Sequence, residues 1–231
     1  MKPFTISTSL LLILFIAACS NPPALDTPGL QQPEIIGVDI SKYQGEVDFK
    51  QLKAAGITYV FVKASEGNTY QDPTFVRNFA KAKQAGLTVS AYHFYESNDA
   101  PQSQLDNFTQ LVTLSAGDLP PVVDIEKLHM QDDMMLTHHL QSYLSGLEKH
   151  YGVKPIIYTG LNFANQHVTE FAQYPLWIAE YGRTQPTLPS GWSSWTFWQW
   201  SQSHTLKGIN GQVDADRFNG TAANFSKLLI K

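Results

Sequence analysis

The stretch Pro120-Pro121-Val122-Val123-Asp124-Ile125-Glu126 combines an apolar run with two carboxylates that follow it two residues apart. The β-branched residues before Asp124 are typical of a strand buried on both faces. Side chains two apart on a strand share a face, and a rise of about 3.3 Å per residue predicts that the carboxyl groups lie about 6–7 Å apart. Two acids at about this distance can flank one glycosidic bond. The alternative is a helix cap or a surface pair just beyond the strand.

Apolar runs that end in polar residues recur along the chain and predict eight strands. They cover residues 35–41, 59–64, 87–95, 122–126, 154–159, 175–181, 195–200 and 213–216. Helices are predicted at 47–55, 73–85, 101–114, 136–151 and 221–230. Strands that alternate with helices predict a mostly parallel sheet with helical crossovers. Helices become sparse after Tyr158, so we expect loops or hairpins between the last strands.

Eight strands in about 200 residues predict a single α/β domain folded as an irregular (β/α) barrel. An open doubly wound sheet is the alternative, although no glycine-rich phosphate loop follows a predicted strand. The chain is long enough to bury one sizeable core. Its net charge of −4, without a basic block, argues against nucleic-acid binding.

Residues 1–33 differ in composition from the rest and are predicted to lie outside the domain, which spans residues 34–231. Residues 1–18 are predicted to form a signal peptide, whose apolar run is short for a membrane span. Ile16-Ala17-Ala18-Cys19 resembles the lipobox of bacterial lipoproteins, which are cleaved before the cysteine and acylated on it; an ordinary signal peptide is the alternative. Cys19 is the only cysteine, so an intrachain disulfide is excluded. The proline-rich residues 19–33 predict a tether.

The C-terminal ends of barrel strands meet at one mouth, where functional side chains collect. In this chain those ends carry Asp39, Lys63, His93, Asp124, Glu126, Tyr158, Glu180, Gln199 and Asp214. We interpret their convergence as a candidate site, although Asp39 could be a buried partner of Lys63, and His93 a core histidine. Aromatic residues such as Tyr92 and Trp177 suit either core packing or stacking on sugar rings. The histidine spacing is not typical of a metal site, and no cofactor is predicted.

Together these residues resemble the family-25 glycoside hydrolases, the muramidase-type lysozymes. Eight segments match in order: 37–41 with 43–45, 61–67, 91–94, 123–126, 156–159, 176–181, 197–200 and 213–214. The resemblance implies an irregular, flattened barrel of the TIM-like type. It also implies retaining cleavage of the β-1,4 bond between N-acetylmuramic acid and N-acetylglucosamine in peptidoglycan.

Carried over by position, the resemblance implies that Glu126 is the proton donor and Asp124 the second carboxylate, either a nucleophile or a stabiliser of a substrate-assisted intermediate. Substrate-binding candidates are Asp39, Asp214, Lys63, Tyr92, His93, Tyr158, Trp177, Glu180 and Gln199; Asp216 is an alternative to Asp214. Because neighbouring carboxylates repel each other as anions, one keeps its proton. We expect Glu126 to hold that proton and Asp124 to stay ionised.

Two other functions stay open from the sequence. The protein could be a catalytically silent, peptidoglycan-binding lipoprotein that keeps the cleft. A chitinase-like glycosidase would need an Asp-x-x-Asp-x-Asp-x-Glu run, whereas Leu119-Pro120-Pro121-Val122 precedes Asp124 here. We expect a monomer in the cell envelope, attached to a membrane through Cys19, with peptidoglycan strands as its partner and no bound metal.

Overall fold

A computed structural model describes Met1 and residues 34–129 and 132–231. Except for Met1, the predicted signal peptide and tether, including Cys19, lie outside the described residues. Within these ranges the strands are β1 (Ile36–Ile40), β2 (Tyr59–Glu66), β3 (Tyr70–Gln71), β4 (Thr88–Phe94), β5 (Val122–Asp124), β6 (Ile156–Gly160), β7 (Leu176–Ala179), β8 (Phe197–His204) and β9 (Val213–Phe218). The α-helices are α1 (Phe49–Ala54), α2 (Phe75–Gln84), α3 (Pro101–Leu111), α4 (Asp133–Tyr151), α5 (Leu161–His167) and α6 (Ala222–Leu228), and 3₁₀ helices cover Lys42–Gln44 and Thr169–Phe171.

The strands close into a barrel, which confirms the predicted fold class. The order around it is β1, β2, β4, β5, β6, β7, β8 and β9, and a parallel pairing of β1 with β2 completes the ring. Neighbouring strands are parallel except at β9, which runs antiparallel to both β8 and β1. The short β3 forms a hairpin with the end of β2.

The later part of the barrel departs most from the helix-strand rhythm. Residues 180–196, between β7 and β8, contain no helix, as the sparse pattern there predicted. Helix α5 was not predicted, and its seven residues bury only Ala164. Strand β5 ends at Asp124, so Glu126 lies in the following loop rather than on the strand. No helix in the described ranges is long and apolar enough to cross a membrane.

Aromatic rings fill the barrel interior below the mouth. Alternate strand residues point inward, and among them the rings of Phe61 and Trp177 stack with centroids 4.2 Å apart. Tyr59 packs edge-on against Phe197, with centroids 5.1 Å apart. A Cβ at Gly37 would lie 2.2 Å from the Tyr59 ring, so only glycine fits opposite it. These rings form a largely apolar floor beneath the mouth of the barrel.

Candidate active site

A cleft of about 240 Å³ opens at the barrel mouth. It brings together most of the predicted site residues: Asp39, Lys63, Tyr92, Asp124, Glu126, Tyr158, Trp177, Gln199 and Asp214. Ser41, Tyr43, Gln44 and Phe94 also line it. A larger hollow of about 740 Å³ lies elsewhere, beside α1 and the end of α2, but none of these site residues lines it.

The two-residue period of the strands places these polar groups above the aromatic floor. Inward residues two apart form columns, with an apolar or small residue below and a polar one above. Such columns are Gly37 and Asp39, Phe61 and Lys63, Val122 and Asp124, Ile156 and Tyr158, and Phe197 and Gln199. Because β9 is antiparallel, its first residues reach the same mouth, and Asp214 pairs in register with Asp39. The same column continues down β9 to Asp216, below Asp214.

Asp124 and Glu126 both line the cleft, where their carboxyl groups interact electrostatically. Asp124 is buried, with 7% of its surface exposed, whereas Glu126 is exposed. Burial raises the pKa of Asp124, and the charge of Glu126 raises it further. In the free cleft both effects favour the protonated form of Asp124, whereas the sequence led us to expect that it stays ionised.

Asp39 and Asp214 form a second pair of carboxyl groups. Burial raises the pKa of Asp39, and the nearby Asp214 adds to the shift. Burial also raises the pKa of Asp214, although its interaction with the Asp39 carboxyl opposes this shift. The Gln199 Nε2 group donates to Asp39 Oδ2 at 2.7 Å. The Gln199 Oε1 atom accepts from the hydroxyls of Tyr158, at 2.8 Å, and Tyr181, at 2.5 Å.

Lys63 supplies a positive charge inside the cleft. Its Nζ lies 2.6 Å from Glu66 Oε2, and its side chain is 14% exposed. Its charge acts on Asp124 in the direction opposite to burial. Beneath the acids, Trp177 Nε1 donates to the fully buried Asp216 at 2.9 Å. Asp216 therefore orients the Trp177 ring from below, whereas Asp214 is the β9 acid that lines the cleft.

His93 does not reach the cleft, in contrast to the prediction that it binds substrate. It is out of phase with its inward neighbour Tyr92, so its ring lies on the helix side of β4. There it is fully buried, 2.8 Å from Ser65 Oγ through Nδ1 and 3.0 Å from Gln104 Oε1 through Nε2. Burial lowers the pKa of His93 to about 4. It is the hydrogen-bonded core histidine that the alternative interpretation described.

Glu180 also lies outside the cleft lining, because it follows the end of β7 and is out of phase with the inward Trp177. Its Oε2 accepts from the Thr187 backbone N–H at 2.6 Å, and its Oε1 accepts from Arg183 Nε at 3.3 Å. Its backbone oxygen accepts from Trp198 Nε1 at 2.7 Å. Glu180 therefore fixes the loop after β7 rather than facing the acids.

Four residues that line the cleft were not predicted as site residues. Ser41, Tyr43 and Gln44 lie just after β1, and Phe94 lies at the end of β4. The 3₁₀ helix Lys42–Gln44 begins immediately after Ser41, whose side chain caps it. This turn leaves Tyr43 82% exposed at the cleft. The polar turn immediately after a strand end was the available signal for this segment, and Phe94 could have been found from its even spacing with Tyr92.

The family model for the glycosyl hydrolases of family 25 matches residues 38–209. The chain belongs to glycoside hydrolase family 25. This finding confirms the family resemblance seen in the strand-end motifs. The match includes Asp39, Asp124, Glu126 and Gln199, while Asp214 lies just beyond it.

Members of family 25 and related proteins resemble this chain over most of its length. Lysozyme M1 of Streptomyces globisporus is 33% identical over 219 residues, covering 88% of this chain and 72% of that protein. The Escherichia coli K12 protein YegX is 34% identical over 193 residues, covering 81% and 70% respectively. The bacterial lysozyme structure from Streptomyces coelicolor has a TM-score of 0.80 and 30% identity, with 84% of this chain and 96% of that chain covered.

Proposed function

We propose that this family 25 protein is a muramidase that hydrolyses the β-1,4 bond between N-acetylmuramic acid and N-acetylglucosamine in peptidoglycan. The contact between Asp124 and Glu126 in the cleft carries the proposal. Glycoside cleavage needs a proton for the leaving oxygen and negative charge beside the developing cation, and two acids can supply them. The names of the two Streptomyces lysozymes support the same activity.

Glu126 is the proposed general acid, because it is the exposed member of the pair and can reach the leaving oxygen. Asp124 lies deeper, beside the sugar ring. Burial and the charge of Glu126 raise the pKa of Asp124 in the free cleft, and because both acids line this cleft the proton of Asp124 has a path to Glu126. Transfer along this path when substrate binds leaves Asp124 anionic next to the developing positive charge and Glu126 ready to donate.

The proposed reaction retains the anomeric configuration by either of two routes. In one, Asp124 attacks C1 while the C1–O bond breaks and Glu126 protonates the leaving oxygen; water then cleaves the glycosyl–enzyme bond with Glu126 as base. In the other, the acetamido oxygen of the substrate attacks C1 while the C1–O bond breaks and Glu126 protonates the leaving oxygen; Asp124 stabilises the oxazolinium ion, which water then opens with Glu126 as base. NMR of the first-formed sugar tests retention, since an initial α-anomer from the β-linked substrate would contradict it.

The remaining cleft residues are proposed to bind the glycan. Asp39, Asp214 and Gln199 offer polar groups on one side, with Tyr158 and Trp177 beneath and Tyr43 at the rim. Lys63 and Tyr92 line the side next to Asp124. His93 and Glu180 are proposed to support the shape of the cleft from outside its lining.

Clearing of a peptidoglycan suspension tests the activity. We expect the wild-type protein to reduce turbidity and Glu126→Gln to bind the same material without clearing it. Wild-type binding without clearing would favour the catalytically silent, peptidoglycan-binding alternative.

We also propose that Cys19 becomes the lipidated N terminus and holds the domain at a membrane surface of the cell envelope, with residues 20–33 as the tether. One acyl chain gives only marginal binding, so stable anchoring needs more than one. Fractionation tests this, because Cys19→Ser should move the protein to the soluble fraction. Membrane sedimentation of the variant would contradict lipidation as the anchor.

A further inference from the structure

Aromatic rings and lysine side chains alternate along one rim of the cleft. Lys42 Nζ lies 5.4 Å from the ring centroid of Tyr43 and 5.1 Å from that of Tyr70. Lys63 Nζ lies 5.8 Å from the Tyr70 centroid and 4.9 Å from the Phe94 centroid. Lys127 Nζ lies 5.3 Å from the Phe94 centroid. We call Lys42, Lys63 and Lys127 the lysine rim.

The lysine rim is built from the ends of neighbouring strands. Lys42 follows β1, Lys63 lies near the end of β2, and Lys127 follows β5. Their aromatic partners lie in the 3₁₀ helix after β1, in β3 and at the end of β4. The rim therefore follows the β1-to-β5 side of the mouth, whereas Tyr158, Gln199 and Asp214 come from the β6-to-β9 side.

Two of the three rim lysines, Lys42 and Lys127, keep a positive charge that is available to a ligand. Lys63 is paired with Glu66. In the described part of the chain, neither Lys42 nor Lys127 forms an ion pair with a carboxylate, and both side chains are exposed. The charge of the buried Asp72 acts on Lys42, but Asp72 Oδ2 already accepts the Lys42 backbone N–H at 2.9 Å.

The rim matters because the cleft is otherwise acidic. Asp39, Asp124, Glu126 and Asp214 line it, and an anionic ligand group would be repelled by any of them that is ionised. A muramyl residue brings such a group. Its lactyl arm ends in a carboxyl that is either free or amide-linked to a peptide with carboxylates of its own. Lysine suits this task because its ammonium is a point charge on a flexible stem.

We propose that the lysine rim binds a carboxylate on the lactyl or peptide arm of the muramyl residue, and so selects muramyl strands over chitin-type glycans. This inference rests on the proposed muramidase function and names the determinant of its substrate class. The ammonium groups lie over the aromatic rings, and the two unpaired ones, Lys127 directly after Glu126 and Lys42 after β1, offer positive charge to the anion.

Binding measurements on the Lys42→Gln/Lys127→Gln double variant test the rim. The matched control is Lys53→Gln/Lys149→Gln, which removes two exposed positive charges from α1 and α4, away from the cleft. Each protein also carries Glu126→Gln to prevent turnover. The ligands are peptide-bearing glycan strands, amidase-stripped strands with free lactyl carboxylates, and chitin oligosaccharides of the same length.

We expect the rim variant to bind muramyl strands about three- to tenfold more weakly than the control, because exposed charge pairs are individually modest. Chitin binding should not change, and the loss should shrink at high salt. A loss confined to peptide-bearing strands places the carboxylate on the peptide, and a loss confined to stripped strands places it on the lactyl arm. Equal binding by the rim and control variants, or an equal loss on chitin, would overturn the inference. Failure of the muramidase proposal is detected separately, as absence of cleavage by the protein with Glu126 intact.

Discussion

The cleft holds two pairs of carboxyl groups whose surroundings differ. Asp39 is fixed by Gln199, whose amide is held in turn by the hydroxyls of Tyr158 and Tyr181. The buried Asp124 Oδ1 atom, in contrast, has no hydrogen-bond partner among the described residues. Glu126 is exposed, whereas Asp39 is buried. Each pair brings two acids together, but only the Asp39–Asp214 pair is tied to a rigid network of hydrogen bonds.

This difference indicates that the hydrogen-bond partners of an acid, more than its presence, determine what it can do. A pair without other donors can pass its proton during a reaction, because no fixed bond is broken. A pair tied to a buried network holds one geometry, and its loss leaves polar groups unsatisfied. We therefore expect changes in the Asp124 pair to affect catalysis and changes around Asp39 to affect stability.

The largest expected effect is that of Glu126→Gln on turnover. The amide keeps the shape of the side chain but cannot donate the proton, and we expect kcat to fall about 10²–10⁴-fold. Because Glu126 is exposed, the free energy of unfolding should stay within about 0.5 kcal/mol of the wild type. Steady-state kinetics and urea denaturation measure the two quantities. A large stability loss with retained turnover would mean that this pair is the structural one.

Asp124→Asn separates the roles within the same pair. Loss of a charge that stabilises the transition state typically costs about 10²–10³-fold in kcat, and we expect a loss of that order on peptidoglycan. An activated aryl glycoside needs no protonation of its leaving group. On that substrate Glu126→Gln should recover much of its rate, while Asp124→Asn should not. The opposite pattern would exchange the roles of the two acids.

Gln199→Met tests the anchored pair. Methionine approximates the length of glutamine but leaves Asp39 and the two tyrosine hydroxyls without their partner. Each buried polar group left unsatisfied costs about 1–3 kcal/mol, so we expect a clear fall in the free energy of unfolding. Differential scanning calorimetry should show a lower Tm than for Glu126→Gln. An unchanged Tm would contradict the anchoring role of Gln199.

The Asp216→Asn substitution has the smallest expected effect. It tests what burial of a carboxyl group does to stability at a position that takes no part in catalysis. Burial raises its pKa well above the ordinary 3.8, and Asp39 raises it further. The folded state thus keeps a proton that the unfolded state releases above pH 4, so this group lowers stability as the pH rises from about 4 towards neutral. Asp216→Asn removes that penalty and keeps an acceptor for Trp177.

The stability of Asp216→Asn relative to the wild type should therefore increase between pH 4 and pH 7. Urea denaturation at the two pH values measures this difference. A relative stability that is constant, or that falls with pH, would show that Asp216 is ionised in the folded protein.

The sequence predicted the barrel strands well, because apolar runs with polar ends mark buried strands that reach a mouth. It could not predict the direction of β9, because a short run of alternating apolar and polar residues does not indicate which way a strand runs in the sheet. It missed α5 because only Ala164 of that helix is buried. We predicted His93 at the site because it lies near a strand end, but the neighbouring Tyr92 is the β4 residue whose side chain points into the barrel. Residue spacing also did not reveal that β5 ends at Asp124, which leaves Glu126 exposed in the following loop.

The central claim is tested most directly by identifying the bond that the protein breaks. Purified glycan strands of defined structure are digested, the new reducing ends are reduced with borohydride, and the products are analysed by mass spectrometry. The proposed activity predicts reduced N-acetylmuramic acid at every new end with the wild-type protein, and no new ends with Glu126→Gln. Reduced N-acetylglucosamine at the new ends, or no new ends with the wild-type protein, would contradict it.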